Sequence, residues 1–155
     1  MIVLRKKPID IYIMIGPAGS GKSTWIKENL DPRIPIISRD LVREELGIIG
    51  KDGRKAMGSS EQEDKISEIC DRRMRKYLNS KTSFVIDNTN LGKSLNNTIL
   101  FLRRYPVNLI GVRINTPLNI IIKRRPEIPK DILSDMYERS QRIDKNLFDK
   151  FIDVK

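Results

Sequence analysis

The chain of 155 residues carries 30 Lys and Arg against 20 Asp and Glu, a formal net charge of +10, and 39% of its residues are hydrophobic. This size and composition predict one globular domain over residues 1–155, with no room for a second catalytic module. The single cysteine excludes an internal disulfide, and the absence of histidine means that carboxylates must accept any proton. No apolar run approaches the roughly 20 residues that span a bilayer, so we expect an intracellular, cytoplasmic protein.

Short apolar runs alternate with longer helical stretches, which predicts an α/β fold with a parallel sheet of four to five strands and helices on both faces. Strands are predicted at residues 9–15, 34–38, 83–87 and 107–114, with a weaker one at 151–154. Helices are predicted at residues 22–29, 40–46, 60–78, 93–105, 117–124 and 129–148. Residues 47–59 hold four glycines and no periodicity, and they are predicted to form a mobile loop on the substrate side.

Local signals refine three of these helices. Gly47 is a candidate C-terminal stop for the second helix, and Ser60 and Glu63 have capping-box spacing at the start of the third. Cys70 lies on an apolar face of that helix, which favours packing over reactivity. Trp25 is predicted to pack the first helix against the sheet, with stacking on a nucleobase as the alternative.

The first predicted strand leads directly into GPAGSGKST, residues 16–24, and a predicted helix follows. The spacing G-x-x-x-x-G-K-S is typical of a phosphate-binding loop, whose backbone N–H groups surround the phosphates of a nucleoside triphosphate. Lys22 would supply a cation for the phosphates and Ser23 a hydroxyl for Mg²⁺. The predicted nucleotide-binding residues are Gly16, Pro17, Ala18, Gly19, Ser20, Gly21, Lys22, Ser23 and Thr24.

Ligands of parallel α/β sheets bind beyond the carboxyl ends of the strands, so residues that follow each strand are candidates for the site. After the second strand, Asp40 and Arg43 are spaced to share one helix face. Asp40 could accept a proton from an attacking hydroxyl, and Arg43 could hold an anionic substrate. The alternative is that Asp40 caps the helix, and one residue could do both.

The third strand ends in VIDNTN. Asp87 is predicted to reach Mg²⁺ through water or to hold a hydroxyl of the phosphate-binding loop, while Thr89 and Asn90 are predicted to line the substrate pocket. For Asn88 and Asn90, an Asx turn or a helix cap is the alternative.

A basic segment, IIKRRPEIPKD, joins the last two predicted helices. Arg124 and Arg125 would suit a lid that closes over the triphosphate and neutralises charge on the phosphoryl group in transfer. A solvated basic turn is the alternative.

Four segments in this order, GPAGSGKSTW, SRDLVREEL, VIDNTNL and IIKRRPEIPKDILSDMYER, resemble the 5′-kinase domain of phage polynucleotide kinases, over about residues 11–139. The P-loop is common to many NTPases, whereas S-R-D-x-x-R combined with D-N-T-N is much narrower. The lid is shorter than in the phage enzymes, and their 3′-phosphatase domain with its D-x-D motif is missing from the sequence. The resemblance leaves a viral origin open.

The resemblance implies a P-loop kinase fold and transfer of the γ-phosphate of ATP, with Mg²⁺, to 5′-hydroxyl ends of DNA or RNA. The roles it implies are Lys22 and Ser23 on ATP and magnesium, Asp40 as general base and candidate magnesium ligand, Arg43 on the substrate phosphate, Asp87 as a site carboxylate, and Arg125 or Arg124 as lid arginine. The net charge of +10 agrees with a nucleic-acid partner. Two alternatives remain: a kinase of nucleosides or other small alcohols, and a nucleic-acid-binding ATPase.

Overall fold

The computed structural model describes residues 8–48 and 59–155, and a five-stranded sheet lies at the centre of this part of the chain. The strands are β1 (Ile9–Ile15), β2 (Ile36–Ile37), β3 (Phe84–Ile86), β4 (Val107–Ile114) and β5 (Lys150–Val154). All are parallel, in the order β2-β3-β1-β4-β5. The predicted α/β fold is therefore confirmed. Most of the predicted loop at residues 47–59 lies outside the described residues.

Six helices connect or flank these strands within the described ranges. They are α1 (Lys22–Asn29), α2 (Arg39–Glu45), α3 (Ser60–Asn79), α4 (Lys93–Leu102), α5 (Leu118–Arg124) and α6 (Lys130–Gln141), followed by a 3₁₀ turn at Lys145–Leu147. None of the helices in this part of the chain is both long and apolar enough to span a membrane.

The sheet is covered on both faces, and β1 shows why. Ile11, Ile13 and Ile15 belong to a core with α3 and α4, while Met14 belongs to a second core with Ile26 of α1. This alternation is the period of two that places successive strand residues on opposite faces. Burying each of these side chains contributes about 1.5–3 kcal/mol, so β1 is a main anchor of the fold.

The two packing predictions for single residues hold. Cys70 is buried among the residues of the first core, and burial raises the pKa of its thiol. Trp25 packs against the second core.

Helix α3 begins at Ser60 as predicted, but its capping box lies one residue earlier than predicted. Ser59 is the N-cap, and its hydroxyl accepts from the N–H of Gln62, whose side chain accepts from the N–H of Ser59. The capping box predicted for Ser60 and Glu63 is therefore wrong. Two Ser residues precede two residues that can each complete the box, so local spacing fits both registers equally. Glu63 is left to make contacts outside its own helix.

The end of α6 lies earlier than predicted, because tertiary contacts stop it. The carbonyls of Ser140 and Gln141 accept hydrogen bonds from Arg113 of β4, at 3.2 and 3.3 Å. Beyond them the chain turns, and Phe148 packs over Gly111, where an added Cβ would come within 3.0 Å of its ring. Sequence periodicity continued the helix to residue 148 because none of these partners is close in the sequence.

The predicted second strand also shortens, to two residues, because Ser38 is used as the N-cap of α2 and accepts from the N–H of Leu41. The opposite end of α2 closes as predicted. Gly47 has φ of +71°, and the N–H groups of Gly47 and Ile48 donate to the carbonyls of Glu44 and Arg43. This is the hydrogen-bond pattern of a Schellman motif.

Candidate active site

The loop between β1 and α1 has the backbone geometry of an anion-binding turn. Gly19 and Gly21 adopt φ of +81° and +100°, in the left-handed region that favours glycine. Gly21 is the N-cap of α1 and no side chain caps it, so the first N–H groups of the helix face the loop. These groups and the helix dipole attract a phosphate.

Lys22 is the charged centre of the loop. Its Nζ donates to the carbonyls of Gly16 and Pro17, at 3.0 and 2.9 Å. Burial lowers the pKa of Lys22 to about 8, while Asp87 and Asp40 act to raise it and Arg125 to lower it further. Residues from three other segments therefore act electrostatically on this amine.

Ser23 and Asp87 form the point of contact between the loop and β3. The hydroxyl of Ser23 donates to Oδ2 of Asp87 at 2.8 Å. The N–H of Asp87 donates to the carbonyl of Ile37, which fixes this strand end beside β2. A hydroxyl and a carboxylate beside a phosphate-binding loop are the oxygen donors that Mg²⁺ prefers, so these residues fit the ion that the fold implies.

Asp40 and Arg43 lie together on α2, as their spacing predicted. Arg43 Nη1 donates to Asp40 Oδ1 at 2.7 Å, and Arg43 Nη2 donates to Glu63 Oε1 of α3 at 2.8 Å. The Asp40 side chain is 63% exposed, whereas those of Arg43 and Glu63 are only 12% and 14% exposed. Because Ser38 is the cap of α2, the alternative role of Asp40 as N-cap is wrong.

Arg39 strengthens the same contact between α2 and α3. Its Nη1 donates to Ser67 Oγ at 2.8 Å, and its Nη2 donates to the carboxylate and the carbonyl of Glu63, at 3.1 and 3.2 Å. Burial acts to raise the pKa of Glu63, but the hydrogen bonds and charges of Arg43 and Arg39 outweigh it and the pKa is lowered. Glu63 therefore faces two arginines as a carboxylate.

The segment after β3 holds the site together from behind. Asn88 Oδ1 accepts from the N–H of Arg39 at 3.0 Å, and the carbonyl of Thr89 accepts from the N–H of Gly16 at 3.3 Å. Asn90 is 7% exposed, and its amide donates to the carbonyls of Met14 and Asn88. The Asn90 side chain thus links the backbones of β1 and β3, and its place in the substrate pocket stays a prediction.

Both arginines of the basic segment reach the phosphate-binding loop. Arg124 Nη1 donates to the carbonyl of Gly19 at 3.1 Å. The stem of Arg125 lies so close to Gly19 that a Cβ there would come within 2.6 Å of its Cγ. The Nε of Arg125 donates to Glu127 at 2.5 Å. The segment thus covers the loop instead of forming a separate solvated turn.

Sequence reasoning missed three residues of this region. Thr116, after β4, donates from its hydroxyl to the carbonyl of Ser20 at 2.6 Å. The strand-end rule that selected Asp40 and Asp87 would also have selected Thr116. Arg39 and Glu63 carried no such signal, because their partners lie on another helix.

Comparison with known proteins agrees with this geometry. The family model AAA_33, described as an AAA domain, matches residues 11–127. A comparison with curated proteins gives no significant match.

Three solved structures have similar folds. The chain is similar to one from the Pnkp1/Rnl/Hen1 RNA repair complex, with a TM-score of 0.74 and 20% identity over 88% of this chain and 45% of that one. It is similar to a sugar kinase from Janibacter sp. HTCC2649, with a TM-score of 0.57 and 16% identity over 96% and 85% of the two chains. It is also similar to a chain of the AvrRxo1-ORF1:-ORF2 complex with ATP, with a TM-score of 0.58 and 16% identity over 86% and 48%.

The chain thus spans less than half the length of the repair-complex chain that it matches. At these identities the likeness shows the fold alone, an α/β fold of the P-loop kinase type.

Proposed function

The chain belongs to the AAA domain family, and from this premise we propose that it is an ATP-dependent polynucleotide 5′-hydroxyl kinase. One observation carries the proposal: at the phosphate-binding loop, Ser23 bonds to Asp87, which follows β3, and Arg124 of the basic segment bonds to the carbonyl of Gly19. The charges of Asp87, of Asp40 on α2 and of Arg125 also act on the pKa of Lys22, the cation of the same loop. This is the inventory that phosphoryl transfer to an alcohol requires.

On the donor side, the loop amides and the N-terminus of α1 hold the triphosphate, and Lys22 stays with the charge that moves between the β and γ phosphates. Ser23 and Asp87 would hold Mg²⁺, which when bound neutralises charge on the phosphate oxygens. Arg124 bonds to the carbonyl of Gly19 and the stem of Arg125 lies against the same residue, so both arginines would add positive charge beside the loop.

On the acceptor side, Asp40 is the base. Its carboxylate is exposed, and Arg43 holds Oδ1 so that the group keeps one orientation. The 5′-hydroxyl oxygen attacks the γ-phosphorus, the bond to the bridging oxygen breaks, ADP leaves, and the hydroxyl proton passes to Asp40. The loose transition state requires positioning more than a strong base.

The polynucleotide acceptor is the finer part of the proposal. It is supported by the net charge of +10, by the S-R-D-x-x-R and D-N-T-N elements, and by the likeness to a chain of an RNA repair complex. Arg43 is proposed to meet the acceptor phosphate. Because both its terminal nitrogens already bind carboxylates, it would have to share one of them.

A kinase of a small alcohol is the second candidate, and one observation favours it. The sugar kinase match covers 85% of that chain, whereas the match to the repair-complex chain covers only 45% of it.

An acceptor panel separates the two candidates. The protein is incubated with γ-labelled ATP and Mg²⁺ and with 5′-OH oligonucleotides, nucleosides, simple sugars or buffer alone, and the labelled product is identified. We expect label on the 5′ ends of the oligonucleotides. Label on a nucleoside or sugar but not on oligonucleotides would contradict the polynucleotide assignment, and release of phosphate in buffer alone would indicate an ATPase.

A further inference from the structure

Glu63 is the residue on which the acceptor side of the site converges. It lies in the first turn of α3, and Gln62 completes the capping box with Ser59, so the Glu63 carboxylate is directed to α2. It accepts from Arg43 at 2.8 and 3.2 Å and from Arg39 at 3.1 Å. One partly buried carboxylate therefore holds two guanidinium groups of another helix.

Arg43 connects Glu63 to Asp40. Its guanidinium lies between two carboxylates, with Nη2 on Glu63 and Nη1 on Asp40 Oδ1. The Nε of Arg43 is buried and makes no hydrogen bond among the described residues. The orientation of this guanidinium is thus set by Glu63 on its buried side, and Asp40 takes its place from the exposed side.

We propose that Glu63 is a positioning residue for the phosphoryl-transfer step: by holding Arg43 it leaves only one oxygen of Asp40 engaged among the residues that the structure describes, so that the other oxygen can take the proton of the acceptor hydroxyl. This inference rests on the proposed function. It gives Glu63 no contact with substrate.

The physical reason lies in what Arg43 does without Glu63. The Arg43 side chain is only 12% exposed, and without the carboxylate of Glu63 its positive charge must be compensated by another group. Among the described residues, the carboxylate of Asp40 is the other one that pairs with Arg43, at 2.7 Å. Arg43 is therefore expected to pair with both oxygens of Asp40, as guanidinium and carboxylate groups commonly do, and the base is then occupied.

The test compares Glu63→Gln with Glu61→Gln, which removes an exposed carboxylate from the same first turn of α3. Steady-state kinetics are measured with the alcohol that wild type uses in the acceptor panel, below the melting temperature of every variant. We expect Glu63→Gln to lower kcat about 10- to 100-fold, the cost of a misplaced catalytic group, with KM for ATP unchanged. Glu61→Gln should behave as wild type.

An unchanged kcat in Glu63→Gln would overturn the inference. This holds whether the substitution changes nothing else, lowers only the melting temperature, or raises only the KM for the acceptor. Failure of the polynucleotide assignment is a separate result, since it appears as the identity of the labelled alcohol.

A second measurement needs no acceptor. The Nε–Hε NMR signal of Arg43 is compared between wild type and Glu63→Gln. We expect its chemical shift and order to change when the buried partner is lost. An unchanged signal would contradict the proposal whatever the kinetics show.

Discussion

The two sides of the candidate site are built in different ways. The donor side depends on the backbone of one short loop, with Lys22 bonded to carbonyls only a few residues away. The acceptor side depends on charged side chains, in which Arg39 and Arg43 of α2 meet Glu63 of α3, at least twenty positions along the chain. The first is read from a local motif, and the second exists only once the chain has folded.

This difference predicts that substitutions on the two sides have different effects on the structure of the site. Backbone amides keep their direction as long as the loop folds, so a donor-side substitution removes the interaction of one side chain. Partly buried ion pairs are linked, because removing one partner leaves the other charge uncompensated. We therefore expect a single substitution on the acceptor side to change the position or pairing of the neighbouring charged residues as well.

The largest effect is expected on the donor side. Lys22→Ala removes the cation that accompanies the transferred phosphoryl group, and we expect kcat/KM for transfer to fall about 10³-fold, the upper range for loss of one transition-state donor. Lys27→Ala, an exposed lysine in the last turn of α1, is the matched control. A loss below tenfold in Lys22→Ala would contradict the donor-side assignment.

The next effect is on the acceptor side. Asp40→Asn keeps an oxygen for Arg43 but cannot take a proton, so we expect kcat to fall 10²-fold or more while ATP affinity stays near wild type, as is typical of a lost general base. Ser38→Ala separates this role from capping. It should lower the free energy of unfolding by about 1 kcal/mol, and it should lower kcat far less than Asp40→Asn does. Wild-type-like turnover of Asp40→Asn would remove the base from the mechanism.

Arg43 tests whether the acceptor side reads a phosphate. If it does, a nucleoside with a 3′-phosphate should be a better acceptor than the bare nucleoside by about 10- to 150-fold, since a hydrogen bond to a charged group contributes about 1.5 to 3 kcal/mol. Arg43→Ala should abolish that preference and spare ATP binding, with the exposed Arg33→Ala as control. Equal kcat/KM for the two acceptors in wild type would favour the small-alcohol kinase.

The smallest effect concerns stability against pH. The pKa of Glu63 is lowered in the folded state, so the unfolded chain binds a proton more readily. The stabilisation by Glu63 is fully present above its unfolded pKa of about 4.3 and is lost as the pH falls through the folded value. Urea unfolding between pH 6 and 3 should show a steeper loss in wild type than in Glu63→Gln, by up to about 1 kcal/mol. Parallel curves would contradict this.

The secondary structure of the donor side was predicted from the sequence almost completely. The bounds of β1 and α1 were predicted to the residue, because an unbroken apolar run, glycines and a helix follow one another within a single segment. Asp40, Asp87 and the two lid arginines were also predicted to converge on the loop, since the carboxyl ends of parallel strands share one edge of the sheet.

The rest depended on contacts between distant segments. The end of α6 is set by Arg113 of β4, and the use of Glu63 is set by two arginines of α2. Asn90 was predicted in the pocket because it follows a strand end. Its backbone φ is +52°, and its side-chain amide donates to the carbonyl of Met14 in β1, which is 76 positions earlier in the chain. Neither periodicity nor motif spacing contains this information. The catalytic roles of Lys22 and Asp40 stay predictions until they are measured.

Gly19 has no side chain, and this allows the basic segment with Arg124 and Arg125 to lie directly against the phosphate-binding loop. The stem of Arg125 occupies the space that a Cβ would take, at 2.6 Å, and Arg124 donates to the carbonyl of the same residue. Gly19 therefore has two roles: it allows the turn of the loop, and its lack of a Cβ allows Arg124 and Arg125 to come close to the proposed phosphate site. An alanine at this position would place its methyl group where the stem of Arg125 lies, so the basic segment would have to move away from the loop.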